Sequence, residues 1–227
     1  MMNVSYMEGR LMMNIGILGT GFGAYHAELY KKMDSIESIT IFGRNEEKLQ
    51  QLKEKHLIHT TTDINEILTD KKIVLIDVCL PTFLHKHYVI EALKHGKHVF
   101  CETPVALTRE DALAMQEAEI QYGKNVFINQ FIKHEHPYTY LHKLVQTQTL
   151  GSLTTLHIKR KTPPLWGDLS LKRITTDLMI HDLDMVAWLL GKPDDIRAAG
   201  RNNKQGQSYV HATFTYPNSL VTIEAHR

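Results

Sequence analysis

Short runs of apolar, often β-branched residues alternate with amphipathic stretches through the first half of the chain. Met13 to Leu18, Ser38 to Phe42, Ile73 to Leu80, His98 to Cys101 and Asn125 to Ile128 predict strands. Between them, Tyr25 to Met33, Glu46 to His56, Lys86 to His95 and Arg109 to Tyr122 predict helices. Alternation of this kind, with strands hydrophobic throughout, predicts a parallel sheet covered on both faces. The helix ends agree. Gly96 follows Lys94 and His95 as at a helix C-terminus, and Thr108 precedes a first turn holding Glu110 and Asp111.

Beyond about residue 130 the pattern changes. Pro137 to Thr147 predicts a helix, Ser152 to Lys161 a strand, and the segment TPPLWGD a loop. A helix from Thr176 to Leu190 is closed by Gly191 and Pro193, and Asp194 to Arg227 reads as strands around turns at Asn202–Gly206 and Pro217–Ser219. Helices followed by adjacent strands suggest an α+β domain on an antiparallel or mixed sheet. The expected division is therefore a first domain over 1–125 and a second over 126–227. Residues 1–11, ahead of the strand that starts after Met12, read as a disordered extension or a start-site artefact. No internal repeat or low-complexity tract interrupts this plan.

Composition narrows the classes without naming one. With 43% hydrophobic and 22% charged residues in 227, the chain can bury a real core. A formal net charge of +1 gives no electrostatic reason to expect nucleic acid or an anionic membrane as partner. Cys79 and Cys101 lie in apolar runs and read as reduced core residues, which fits the cytoplasm. No apolar stretch reaches bilayer-spanning length, and the opening MMNVSYMEGRLMMN lacks a signal core and cleavage site. The pairs His85/His87 and His134/His136 lack convergent cysteines or carboxylates at zinc spacing, so no metal site is expected.

The chemistry begins at Gly19-Thr20-Gly21-Phe22-Gly23-Ala24, a glycine-rich turn between a buried strand and a helix. In the spacing G-x-G-x-x-A, Gly19 allows the tight turn and Gly21 lets backbone approach a pyrophosphate. Ala24 lets helix and strand pack closely. The helix N-terminus adds N–H donors and the positive dipole end. Position at the first strand–helix junction of a βαβ unit makes this a dinucleotide site rather than a plain turn. An NAD site usually ends the second strand with Asp or Glu on the ribose hydroxyls. Here that end reads Ile41-Phe42-Gly43-Arg44-Asn45. An arginine there can pair with a 2′-phosphate, and glycine leaves room for it, which favours NADP, with NAD the alternative. Otherwise Arg44 is a solvated helix-start residue.

Three further segments occur in order: DVCLPTFLH (77–85), GKHVFCETP (96–104) and DLMIHDLDMVAWLLG (177–191). With the glycine turn, they resemble the glucose–fructose oxidoreductase/inositol dehydrogenase (Gfo/Idh/MocA) family from about residue 13 to 227. The resemblance implies a Rossmann domain followed by a shortened α+β domain with an open, mostly antiparallel sheet. It implies NAD(P)-dependent hydride transfer to or from a sugar, cyclitol or related polyol. It places Leu80, Pro81, Thr82 and His85 beside the nicotinamide half, matches Glu102 to the glutamate of the family's E-K-P motif, and matches Pro104 to its often cis proline. On the last helix Asp177, His181, Asp184 and Trp188 fall on one stripe, where carboxylates are costly to bury unless paired or working. The family reading gives His181 the proton exchange and Asp177 substrate binding or steering of the imidazole. A helix cap plus a hydrogen-bonded core histidine is the structural alternative.

Two departures qualify this. Thr103 stands where the motif has lysine. A threonine hydroxyl can hydrogen-bond a substrate, but it neither takes a proton at neutral pH nor carries charge to stabilise an alkoxide. Either His181 works alone, another cation such as Lys133 or His134 reaches in, or the chain is a catalytically impaired NAD(P)-binding regulatory or degenerate family member. Second, family members continue beyond the position matching Arg227, so the second sheet reads as shortened and suited to self-association into a homo-oligomer.

Overall fold

The computed structural model describes residues 5–7, 10–162, 170–202 and 208–226. Most of the TPPLWGD segment and most of the Asn202–Gly206 turn lie outside these. The chain forms two compact units, Met1–Asn129 and Gln130–Arg227.

The first unit is built on one sheet. Its strands are β1 (Ser5–Met7), β2 (Arg10–Leu18), β3 (Ile36–Phe42), β4 (His59–Thr61), β5 (Ile73–Val78), β6 (His98–Cys101) and β7 (Val126–Ile128). Six run parallel in the order β4-β3-β2-β5-β6-β7, and β1 pairs antiparallel with the start of β2. The helices are α1 (Phe22–Tyr30), α2 (Glu46–His56), α3 (Ile64–Thr69), α4 (Thr82–Lys94) and α5 (Arg109–Tyr122). The strand order reverses between β2 and β5, the position at which open α/β sheets bind ligands beyond the carboxyl ends of their strands.

Period-2 alternation sends successive strand residues to opposite faces. Ile15, Ile17, Ile39 and Ile41 pack with Ala27 of α1 and Leu49 and Leu52 of α2 on one face. Ile76, Val78, Val99 and Cys101 pack with α3, α4 and α5 on the other. On the α1 side, Leu75, Phe100 and Phe127 line an open cavity of about 600 Å³ next to His26 and Tyr30.

Several sequence expectations need correction here. Ser5–Met7 and Arg10–Leu11 are strand rather than a disordered extension, because β1 completes a hairpin with Arg10, Leu11 and Met12. β4 and α3 were absent from the sequence reading. β4 is three mostly polar residues with no alternation to detect, and α3 is a single short helix signalled only by the Asp63 cap, whose side chain accepts from the Asn65 N–H. α1 and α4 begin earlier than expected, at Phe22 and Thr82. The unit boundary falls after Asn129 rather than at residue 125, since β7 is hydrogen-bonded to β6 in the first sheet.

The second unit opens with a 3₁₀ turn (Phe131–His134), followed by α6 (His136–Thr147) and β8 (Thr155–Lys161). Next come α7 (Leu171–Arg173), a π-helical turn (Ile174–Leu178), α8 (Ile180–Leu190) and the strands β9 (Asp195–Asn202), β10 (Ser208–Thr215) and β11 (Leu220–His226). The sheet order is β8-β11-β10-β9, with β8–β11 parallel and the other pairings antiparallel. Ile174, Met179 and Val186 cover Val210, Ala212, Phe214, Val221, Ile223 and Ala225 on one sheet face. The helix expected as one piece from Thr176 to Leu190 is thus divided at Met179 by the π turn.

Candidate functional site

The glycine turn closes β2 at the switch point. Gly19 has φ +110°, a conformation open to glycine, and a Cβ there would lie 2.7 Å from the Cys79 carbonyl oxygen. Gly21 is exposed, with open space where its side chain would be. Gly23 is a further position of close helix–strand packing, since a Cβ there would sit 2.7 Å from Ile17 Cγ2. Ala24 packs at the edge of the same core, and Thr20 and Phe22 flank the turn, with Phe22 52% exposed. The carboxyl end of β3 abuts this turn: Gly19 N–H donates to the Phe42 carbonyl (3.0 Å), and a Cβ on Gly43 would meet Thr20 Cγ2 at 2.5 Å. Arg44 follows, exposed, immediately before the Asn45 cap of α2.

Helix starts differ in a telling way. Side chains of Asn45, Asp63 and Thr108 cap α2, α3 and α5, whereas α1 and α4 have no side-chain cap and no acid in the first turn. These two uncapped N-termini follow β2 and β5, the strands on either side of the switch point. Uncapped N–H groups at a helix start present donors and a positive dipole end.

At the next loop, Leu80 and Thr82 are half-buried and Pro81 is exposed. His85, expected beside the nicotinamide, is 1% exposed: Nε2 lies 2.7 Å from the Leu80 carbonyl oxygen and Nδ1 3.4 Å from Cys101 Sγ. It braces the Leu80–Pro81 turn from inside the core. Glu102 and Thr103 follow β6, and the Thr103–Pro104 peptide is cis. Glu102 Oε1 accepts from Asn129 Nδ2 (2.6 Å), and Oε2 accepts from the Thr103 N–H (3.1 Å).

Glu102 also belongs to a buried charge cluster that the sequence reading missed. His26 Nδ1 lies 2.8 Å from Asp77 Oδ2 and Nε2 lies 3.0 Å from Glu102 Oε1. Tyr30 donates its hydroxyl to Asp77 Oδ2 at 2.9 Å, and the Cys79 thiol lies 3.3 Å from Oδ1. Burial alone would lower the His26 pKa, but the hydrogen bonds to Asp77 and Glu102 outweigh it and raise the value to about 9. Burial would raise the Glu102 carboxyl; the donors His26, Asn129 and the Thr103 amide instead hold it below the usual range. The Cys79 thiol is pushed up, first by burial and then by the Asp77 charge. A readable signal did exist: Asp77 interrupts the apolar run IVLIDV, and a carboxylate inside a buried strand requires a partner.

In the second unit, Asp177 lies in the π turn and accepts from Arg173 Nε (2.9 Å) and Thr176 Oγ1 (2.6 Å). His181, at the start of α8, has the Phe131 ring 5.0 Å away, centroid to centroid. Asp184 pairs with Lys133 at 2.9 Å, so that candidate cation is engaged by a member of the expected stripe, while His134 is exposed. Trp188 stacks on His142 with centroids 3.9 Å apart. The fully buried acid of this helix is none of these. It is Asp182, 1% exposed and held bidentately by Arg160 of β8, with both contacts at 2.6 Å.

Residues 13–130 match the family described as "Oxidoreductase family, NAD-binding Rossmann fold", and residues 138–227 match the GFO/IDH/MocA C-terminal domain. The chain belongs to the Gfo/Idh/MocA oxidoreductase family. Among relatives within it, inositol 2-dehydrogenase of Burkholderia cenocepacia (strain HI2424) is 29% identical over 158 residues, which cover 69% of this chain and 42% of that protein. Myo-inositol 2-dehydrogenase of Thermotoga maritima is 30% identical over 185 residues, covering 79% of this chain and 55% of that protein. The chain therefore spans about half the length of these Gfo/Idh/MocA relatives. A solved structure of a putative myo-inositol dehydrogenase from Sinorhizobium meliloti 1021 superposes with a TM-score of 0.85 at 20% identity, over 95% of this chain and 69% of that one. That likeness is one of fold.

Proposed function

We propose that this chain belongs to an NAD(P)-dependent oxidoreductase, NADP-preferring, that transfers hydride to or from a sugar, cyclitol or related polyol. The observation that carries this reading is the placement of two uncapped helix N-termini, α1 and α4, after the strands on either side of the switch point. A pyrophosphate fits such a place: the backbone at Gly19 and Gly23 leaves no room for side chains, Gly21 is open, and no carboxylate in either first turn opposes an anion. Gly43 brings the start of α2 against Thr20, so Arg44 is the candidate for a 2′-phosphate; an NAD ribose would instead call for an acid there. The bound dinucleotide supplies or takes up the hydride. Leu80, Pro81, Thr82 and Glu102 lie at the adjoining loops and are assigned to the cofactor side.

On the substrate side the family motif assigns proton exchange to His181 and its steering to Asp177, which enters already paired with Arg173. Thr103 supplies a hydroxyl where the motif's lysine would supply charge. That substitution is also the observation favouring the second reading, a nucleotide-binding family member without turnover. The inositol dehydrogenase relatives support a cyclitol or polyol as the first substrates to try. The reading includes self-association through the outer face of the second sheet, which sedimentation velocity at micromolar concentration checks.

The deciding experiment titrates NADPH and NADH into the protein and then assays a sugar and polyol panel. Tighter NADPH binding with turnover of a panel member is expected. His181→Ala should then remove most turnover, by about 10²-fold or more if the imidazole moves the proton, while leaving cofactor affinity unchanged. Thr103→Lys should raise it. Saturable binding without turnover selects the second reading, and turnover unaffected by His181→Ala removes the proton assignment.

A further inference from the structure

We propose that His26 is the positioning residue of the dinucleotide site: by bridging Asp77 and Glu102 it fixes the carboxylate that holds the Thr103 amide, and so ties the Thr103–Pro104 turn to the helix that begins at the glycine turn. The proposal rests on the dinucleotide reading above. Its basis is an accounting of donors. Both His26 nitrogens face carboxylate oxygens, at 2.8 and 3.0 Å, and an ionised carboxylate can only accept, so satisfying both contacts with both acids ionised takes a ring that carries both protons. His26 is 6% exposed and Asp77 0%. The titratable groups facing the ring are Tyr25 and Tyr30 on its own helix, Asp77 and Cys79 from β5 and the loop after it, and Glu102 after β6. Among the described residues no lysine or arginine forms an ion pair with either carboxylate, which leaves His26 as their counter-charge. Tyr30 and Asn129 each satisfy one further oxygen lone pair, and the second oxygen of Glu102 is committed to the Thr103 N–H. Both ring nitrogens are thereby used within a hydrogen-bonded clamp rather than offered to a metal ion, although the Asp77, Cys79 and His26 ligand atoms lie within 4.8 Å of one another.

A neutral ring can donate to only one carboxylate. The other then faces a lone pair; where that is Glu102, its Oε1 keeps only the Asn129 donor and the carboxylate is held less firmly against the Thr103 amide. Burial alone would make the proton easier to lose, whereas the two carboxylate hydrogen bonds hold it to about pH 9, so alkaline solution is the natural probe.

The test uses the full chain, with the His26 ring nitrogens and the Thr103 amide followed by ¹⁵N NMR from about pH 6 to pH 10, and NADPH affinity measured across the same range. The expected result is a doubly protonated ring up to about pH 9, a Thr103 amide shift with the same midpoint, and NADPH affinity falling at least about fivefold through it. In His26→Gln the amide and the affinity should lose that pH dependence. If this variant fails to fold, the wild-type series decides alone. A ring already neutral at pH 7, an amide that ignores the ring's titration, or a coupled titration with constant NADPH affinity overturns the proposal. If neither NADPH nor NADH binds at any pH while ring and amide titrate together, the dinucleotide reading falls and the His26–Glu102–Thr103 coupling stands.

Discussion

Arg44 projects from the end of β3, exposed and one residue past a glycine that touches the phosphate turn. If Arg44 holds the 2′-phosphate as proposed, Arg44→Ala would remove charge-assisted hydrogen bonds worth roughly 1.5–3 kcal/mol, and NADPH affinity should fall about ten- to hundredfold with NADH affinity within about twofold of wild type. Equal losses for both cofactors would show that Arg44 does not read the 2′-phosphate. Gly19→Ala is expected to abolish measurable binding of either cofactor, because the φ of +110° is strained for alanine and the new Cβ meets the Cys79 carbonyl. At this scale legibility was uneven. The glycines announced themselves by spacing, whereas the close approach of Gly23 to Ile17 lies outside the G-x-G-x-x-A positions and shows only in the fold. His26 was hidden because a histidine on an apolar helix face says nothing by itself. Its meaning comes from Asp77 in β5 and Glu102 just after β6, 51 and 76 residues further along.

Among the secondary-structure elements, α8 shows most clearly what a periodic reading can and cannot reach. Counting from Asp177 as if the helix were regular put Asp177, His181, Asp184 and Trp188 on one buried stripe. The π turn over Ile174–Leu178 separates Asp177 from the regular helix, and the side chains of Asp177 and Asp184 stay 30% and 25% exposed in their ion pairs. The buried carboxylate is Asp182, which fastens α8 to β8 through Arg160. Removing one member of a buried pair strands the other, so Asp182→Ala should cost about 3–5 kcal/mol of stability, read as a lower urea midpoint. A loss no larger than that of an exposed pair would mean that Arg160 finds water or another acceptor. Helices with both periodicity and caps, such as α2 and α5, matched their sequence limits. β4 and α3 did not, being too short to establish a period.

Across the whole molecule, the sequence carried the architecture because strand hydrophobicity and helix alternation dictate a parallel sheet regardless of where each end falls. Stability against pH should report the buried cluster. Two of its members, His26 and Glu102, act on opposite sides of neutrality. His26 holds its proton more tightly folded, at about 9, than at its ordinary 6.5. Its contribution is therefore complete below about pH 6.5 and is lost as pH rises through about 9, by up to about 3 kcal/mol. Glu102, held below its ordinary 4.5, contributes above that value and loses its effect as acid protonates it. Urea unfolding across this range should show a plateau between about pH 5 and 6.5 and a decline toward pH 9 that His26→Gln flattens. An unfolding free energy constant from pH 6 to 10 would contradict the charged ring.

The contact between Gly43 and Thr20 bears on how cofactor choice can change over generations. An aspartate at position 43, the familiar route to preferring NAD, would drive its Cβ to 2.5 Å from the Thr20 methyl and so disturb the phosphate turn before any ribose hydroxyl is gained. Thr20→Ser removes that methyl. Leu49 Cδ2, 3.2 Å from the same Cβ, must also give by a few tenths of an ångström, so serine comes first and the aspartate that follows still asks α2 to yield slightly. Inheritance in this part of the chain should show the pair moving together, and an engineer who alters position 43 alone should expect to lose one cofactor without acquiring the other.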